Sequence, residues 1–157
     1  METRILLQNG YRYALSLTHD KAFAEDLLQE AWAKMLKAGG PRHKGYLYAA
    51  IRNGFIDERR RNKVVSIVPT EVPELYADAL VGADVRAERR QRLARALAVL
   101  RPEEREALYL NAVEGYTADE IGKLSETPRN TVLSLLHRAR RKVLAAFDAE
   151  TTQEVLP

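Results

Sequence analysis

Between residues 129 and 142 the chain carries five Lys or Arg side chains and no acid. Cations at that density can meet phosphates, and Arg, Asn and Ser can also reach base edges in a DNA major groove. Counting 100° per residue from Val132, the helix side opposite the apolar stripe holds Asn130, Ser134, His137, Arg138 and Arg141. Arg129 stands at its start, and Arg140 and Lys142 flank that side as phosphate contacts would. A solvated amphipathic helix with a basic last turn would explain part of this pattern through its dipole. The residues before it favour nucleic acid. Thr117-Ala-Asp-Glu120 is a capping box, and Tyr116 with Ile121 has the spacing of a hydrophobic staple. That short helix should reach about Leu124, followed by a three-residue turn. Thr127 then caps a last helix with Pro128 at its first position. A short capped helix, a tight turn and a longer helix with a polar outer side predict a helix-turn-helix over residues 117–142.

Two further groups of polar residues lie within residues 1–63. Glu25, Asp26 and Glu30, with Gln29 between them, share one side of a helix whose other side carries Ala24, Leu27, Leu28, Ala31, Trp32, Met35 and Leu36. Carboxylates one turn apart could do acid–base work, but no partner base or metal signature accompanies them, so a solvated face is expected. Arg52, Asn53 and Asp57 share a side of the next helix, which ends in Arg59, Arg60, Arg61 and Lys63. The break before it, GGPRHKG at 39–45, brings Arg42 and Lys44 and could follow a single strand. Tyr46 and Tyr48 offer faces for stacking, although half-burial at a helix start is the expectation for both.

Other chemistries find little support. The chain has no cysteine, so disulfides and thiolate metal sites are excluded. His19, His43 and His137 are widely spaced and none lies in an H-E-x-x-H pattern, so no metal and no cofactor is expected. The opening METRILLQNGYRY lacks the apolar core of a signal peptide, and no stretch approaches the roughly 18 apolar residues of a membrane span. A soluble, cytoplasmic, non-enzymatic protein with no membrane contact is therefore expected.

The elements that must position these residues are helices. Leu, Ala, Arg and Glu dominate the 157 residues, whereas Gly and Pro number only 8 and 6. Residues 1–63 hold 12 Lys/Arg against 7 Asp/Glu, residues 64–88 hold 1 against 5, and residues 89–157 hold 12 against 10. Two basic ends flanking an acidic middle suggest two nucleic-acid-facing modules and an acidic connector. The first module, residues 1–63, should hold three helices: one through Leu6 to Leu17, one capped by Asp20, and one from Tyr46 to about Asn62. Residues 64–88 read as a linker, with a short helix possible around Leu75 to Leu80. The second module, residues 89–147, opens with Leu93, Ala96, Leu97 and Leu100 on one stripe. Arg101-Pro102 breaks that helix and starts the next, which runs to about Glu114 and stops at Gly115. Residues 148–157 read as a flexible tail. The fold class expected is all-α, two small helical domains joined by a flexible acidic linker.

AEDLLQEAWAKML followed by GYLYAAIRNGFIDERRR resembles regions 2.1–2.4 of bacterial sigma factors. LRPEEREALYLNAVEGYTADEIGKLSETPRNTVLSLLHRARRKV resembles their region 4. The order of E-D-L-x-Q-E, R-N-x-x-I-D and T-V-x-S-x-x-H-R-A-R carries the resemblance, and the size and short acidic linker point to the extracytoplasmic-function group. That resemblance implies an alternative sigma factor that binds core RNA polymerase and directs promoter-specific initiation. Asp26, Gln29 and Glu30 would dock on the β′ clamp helices. Loop 39–45, with Arg42 and Lys44, would cradle a flipped base of the −10 element. Asn53 and Asp57 would read or border that element, with Arg52, Arg59, Arg60 and Arg61 on its backbone. Arg129, Asn130, Ser134, His137, Arg138 and Arg141 would serve the −35 element, and that module would also meet the β flap. The linker would thread a polymerase channel, an anti-sigma factor would cover the polymerase-binding faces, and the free protein would be a monomer. Three positions depart from the family: Glu126 stands where a small residue or Gly is usual in the turn, Leu133 replaces a usual cation, and Leu135, which fits the apolar stripe, stands where another cation is often found. Leucine cannot donate to guanine, although it can meet a thymine methyl. A sigma-like mimic that binds an anti-sigma factor without promoter DNA, or a stand-alone helix-turn-helix regulator, are the alternatives.

Overall fold

The computed structural model describes residues 2–62 and 87–155, with side chains described for 2–61 and 88–148. Among the described residues there are seven α-helices and no strand: α1 (Thr3–Thr18), α2 (Lys21–Ala38), α3 (Lys44–Asn62), α4 (Ala87–Ala98), α5 (Pro102–Ala112), α6 (Ala118–Ser125) and α7 (Arg129–Val155). The all-α expectation holds. Most of the expected linker, with the short helix around Leu75 to Leu80, lies outside the described residues.

Helices α1, α2 and α3 pack on one another as a three-helix unit. Leu6, Leu27, Ala31, Leu47, Ile51 and Phe55 are buried between them, and each large apolar side chain so buried stabilises by about 2 kcal/mol. Asp20 begins α2 as expected, its carboxylate accepting from the Phe23 N–H at 3.1 Å. Gly10 lets these helices cross closely: a Cβ there would lie 2.8 Å from both Leu28 and Leu47 methyls, and those side chains would have to shift. Helix α3 starts at Lys44, two residues before the expected Tyr46, because His43 Nδ1 accepts the Tyr46 N–H at 3.2 Å. A histidine in the role of the usual Ser, Thr or Asp cap leaves no familiar signature.

The second unit packs α4, α5 and α6 on α7. Leu93, Leu97, Leu108, Val132, Leu136 and Ala139 are its buried centre. Pro102 takes the first turn of α5, and Gly115 follows it at φ +74°, as a helix stop should. The last helix does not end near Phe147 but continues to Val155, correcting the expected tail. Residues 148–155 contain no Gly or Pro, and Ala, Glu and Gln favour helix, so nothing local stops it.

The two units pack against each other. Their buried residues form one contiguous cluster, with α1 against α5 and α3 against α6. The Arg105 side chain of α5 is wholly buried and donates Nε–H to the Ser16 carbonyl at 2.8 Å and Nη2–H to the Leu17 carbonyl at 2.9 Å. Those carbonyls belong to the last turn of α1, where helical partners run out.

Candidate nucleic-acid and polymerase interface

The helix-turn-helix is built as its residue types dictate. The Thr117 hydroxyl accepts the Glu120 N–H at 3.2 Å, and the Glu120 carboxylate accepts the Thr117 N–H at 3.1 Å. Ile121 and Gly122 turn inward, and a Cβ at Gly122 would fall 2.6 Å from the Thr127 carbonyl oxygen. The turn closes through the Thr127 N–H, which donates to the Gly122 carbonyl at 2.9 Å. Glu126 sits in it at φ 53°, ψ 43°, the left-handed region where glycine is strain-free. The Thr127 hydroxyl bonds backward to the Ser125 carbonyl at 3.1 Å, and α7 begins at Arg129.

On α7 the apolar stripe faces the core, with Val132, Leu136, Ala139 and Val143 buried. Arg129, Asn130, Ser134, His137 and Arg141 are exposed, as is Leu133 at 41 %. The other three cations turn toward their own module. Lys142 Nζ lies 2.7 Å from the buried Glu104 carboxylate, Arg138 Nε lies 3.9 Å from it, and Arg140 bonds Asn111. Burial alone would raise the Glu104 pKa, but the Lys142 hydrogen bond and the backbone N–H of Arg101 outweigh it and hold it low. Arg140 and Lys142 thus tie α7 to the rest of the module, and Arg138 is only half-exposed. Periodicity along one helix could not show this, because Glu104 and Asn111 come from α5.

In the first module, Asp26, Gln29 and Glu30 are all exposed on α2. Asn53, Asp57, Arg60 and Arg61 are exposed on α3. Arg42 lies over the Trp32 ring at 5.6 Å and donates to the Thr3 hydroxyl at 3.4 Å. The expectation of two half-buried tyrosines holds for neither. Tyr46 is 39 % exposed, whereas Tyr48 is fully buried and stacked on Tyr13 with ring centroids 4.3 Å apart.

Lys44, Arg52 and Arg59 have partners that no local pattern foretold. Arg52 Nε reaches Glu106 at 3.0 Å, Arg59 reaches Glu103 at 2.5 Å, and Lys44 reaches Glu114 at 3.0 Å. All three acids belong to the second module. The Tyr13 hydroxyl also donates to Glu106, at 2.5 Å, while Tyr48 and Tyr109 both donate to Glu114. Burial raises the Glu106 pKa in spite of Arg52 and Tyr13. For Lys44, burial works to lower the pKa, but the Glu114 hydrogen bond and charge overcome it and the ammonium is held charged. Burial likewise opposes ionisation of Glu103, and Arg59 overcomes it. No cluster that could hold a metal ion occurs among the described residues, and no helix there is long and apolar enough to cross a membrane.

A capped helix-turn-helix beside a second helical module with exposed acids and cations is an arrangement suited to meeting nucleic acid at two places. Comparison with known proteins narrows the class. Residues 6–64 match the model for sigma-70 region 2, and residues 90–143 match that for sigma-70 region 4. The ECF RNA polymerase sigma factor SigL of Mycobacterium tuberculosis is 36% identical over 141 residues, 83% of this chain and 78% of that protein. SigM of Bacillus subtilis is 28% identical over 156 residues, covering 96% of both chains. SigE of Mycolicibacterium smegmatis is 32% identical over 162 residues, but the chain spans only 60% of its length. The sigma factor RpoE of Bartonella quintana, solved in complex with the anti-sigma factor NepR, shares the fold at a TM-score of 0.67 and 22% identity, over 92% of this chain and 93% of that one. The chain belongs to the sigma-70 family, among the ECF sigma factors.

Proposed function

We propose that the protein is an alternative sigma factor that joins core RNA polymerase and directs initiation at promoters with −10 and −35 elements. One observation carries this reading: a single chain presents Asp26, Gln29 and Glu30 exposed on α2 and, in the same fold, the exposed polar row of α7 in a capped helix-turn-helix. Asp26, Gln29 and Glu30 dock on the clamp helices of the β′ subunit. Arg42, Lys44, Arg52, Asn53, Asp57, Arg59, Arg60 and Arg61 serve the −10 element. Arg129, Asn130, Ser134, His137, Arg138 and Arg141 serve the −35 element, beside a contact with the β flap. The work is regulation rather than catalysis, takes place in the bacterial cytoplasm with polymerase, and is restrained by an anti-sigma factor on the polymerase-binding faces.

Genome-wide run-off transcription with core polymerase and purified protein tests the proposal. The holoenzyme should start at a small set of sites sharing −10 and −35 sequences, and Asp26→Arg should abolish co-purification with core polymerase. Core binding without any opened promoter would replace the reading with that of a sigma mimic.

A further inference from the structure

Helix α7 carries a large apolar side chain where its neighbours are polar. Leu133 is 41 % exposed, on the side of the helix that also exposes Asn130, Ser134 and His137. At 3.6 residues per turn it lies within about 60° of Asn130 and about 40° of His137. It also stands in the second turn after the Glu126 bend, and the first turns of a helix inserted in the major groove are those that meet base edges. Leu144 is 64 % exposed at a nearby angle, but it stands about 16 Å further along the axis, away from that end.

Several polar side chains around Leu133 are already engaged. Arg129 Nε lies 3.4 Å from the Asp119 carboxylate of α6, and Arg138 Nε lies 3.9 Å from Glu104. The Ser134 hydroxyl donates to the Asn130 carbonyl at 3.1 Å, so toward a base it acts as an acceptor. The cations that could donate to guanine near the turn are thus held toward acids of their own module. Leucine cannot replace them in that role. In the major groove the one apolar group on a base edge is the C5-methyl of thymine, and an apolar side chain gains by burying against it.

We propose that Leu133 is a specificity-determining residue of the −35 contact, selecting a T·A pair by packing on the thymine C5-methyl group. The inference rests on the assignment of α7 to the −35 element under the proposed function. The contact is uncharged, so it adds sequence preference without adding to the salt-dependent attraction of the phosphates.

The test uses holoenzyme assembled from the full chain and core polymerase, on duplex promoter fragments found by run-off transcription. Each thymine of the −35 region, on either strand, is replaced singly by deoxyuridine, which keeps the base pair and removes only the methyl group. Affinity is read by fluorescence anisotropy at one fixed salt concentration. At one position the replacement should weaken wild-type binding roughly three- to fivefold, the scale of returning one methyl to water. Leu133→Ala should weaken binding to the thymine fragment at least as much and leave that position indifferent to the methyl, as a double-mutant cycle between side chain and methyl requires. Leu133→Met, which keeps an apolar tip, should retain the sensitivity. Equal sensitivity in wild type and Leu133→Ala, or none at any thymine, would overturn the proposal. So would start sites whose −35 regions share no T·A pair. A Leu133→Ala defect of one size on every fragment would overturn it too, and would put the side chain against protein instead of DNA. Holoenzyme that opens no promoter is a failure of the sigma reading itself, and it shows before any thymine is altered.

Discussion

The Arg105 guanidinium and the Ser16 carbonyl meet at 2.8 Å across the two modules. The same guanidinium also reaches the Leu97 and Leu100 carbonyls, each at 3.4 Å, so one side chain satisfies the ends of α1 and α4 together. Arginine suits this position because its planar fork serves several acceptors at once, which a lysine ammonium on a flexible stem does less well.

Replacing Arg105 by Met keeps most of the buried stem but leaves these carbonyls unpaired. Unfolding free energy should fall by about 3 kcal/mol, the scale of losing hydrogen bonds from a charged donor. Arg105→Lys should recover only part of it. Urea unfolding followed by circular dichroism measures both, and a change within about 0.5 kcal/mol, typical of surface substitutions, would refute the pinning role.

His19 ends α1 at φ 52° and is 2 % exposed. Burial, and then the charge of Arg105, bring its pKa down from 6.5 to about 4. The unfolded chain therefore binds more protons between those values, and stability is lost as pH falls through that window, by about 1 kcal/mol per pH unit. Glu106, raised by burial, acts in the opposite sense, contributing below the ordinary carboxylate range and losing that contribution as pH rises through its raised value. His19→Asn tolerates the left-handed backbone and removes the imidazole. Its Tm should depend less steeply on pH between 6.5 and 4.5 than that of the wild type, and an equal slope would exclude His19 as the cause.

Glu126 bears a carboxylate side chain in a left-handed turn position, next to the helix proposed to meet the −35 element. Glu126→Gly should stabilise the protein by about 1 kcal/mol, the usual penalty of left-handed backbone for an L side chain. It should also tighten −35 DNA binding by removing a carboxylate from the approach of phosphates. Thermal melts and gel-shift titrations at fixed salt read the two effects separately.

Gly122→Ala places a Cβ against the Thr127 carbonyl oxygen, whose backbone cannot yield without opening the turn. A loss of about 2 kcal/mol is expected, on the scale of core overpacking. Binding to −35 DNA should fall while Asp26-dependent association with core polymerase persists. Loss of both together would show that the damage is not local to the turn.

Much of this fold was legible in residues that act on near neighbours. Thr117 and Glu120 are three apart, Asp20 and Phe23 are three apart, and Pro102 and Gly115 act on their own backbone; each is found in its expected role. The ties between modules were not legible. Arg52 and Glu106 are 54 residues apart, and nothing in the period of either helix encodes their pairing. On α5, Glu104, Arg105 and Glu106 are buried although helical period would expose charged residues, because α1 and α7 cover both flanks. The polar rows on α2 and α7 are exposed because no other helix among the described residues covers them.

Trp32 is the chain's single tryptophan, and Arg42 from the loop before α3 lies over its ring. The protein thus contains its own optical reporter at the edge of residues 39–45. If that loop takes an anion or a base, as the proposed function has it, displacement of the guanidinium from the indole would change emission from one defined fluorophore with no label attached. Stopped-flow mixing with a −10 oligonucleotide would then time the capture step directly in the unmodified chain.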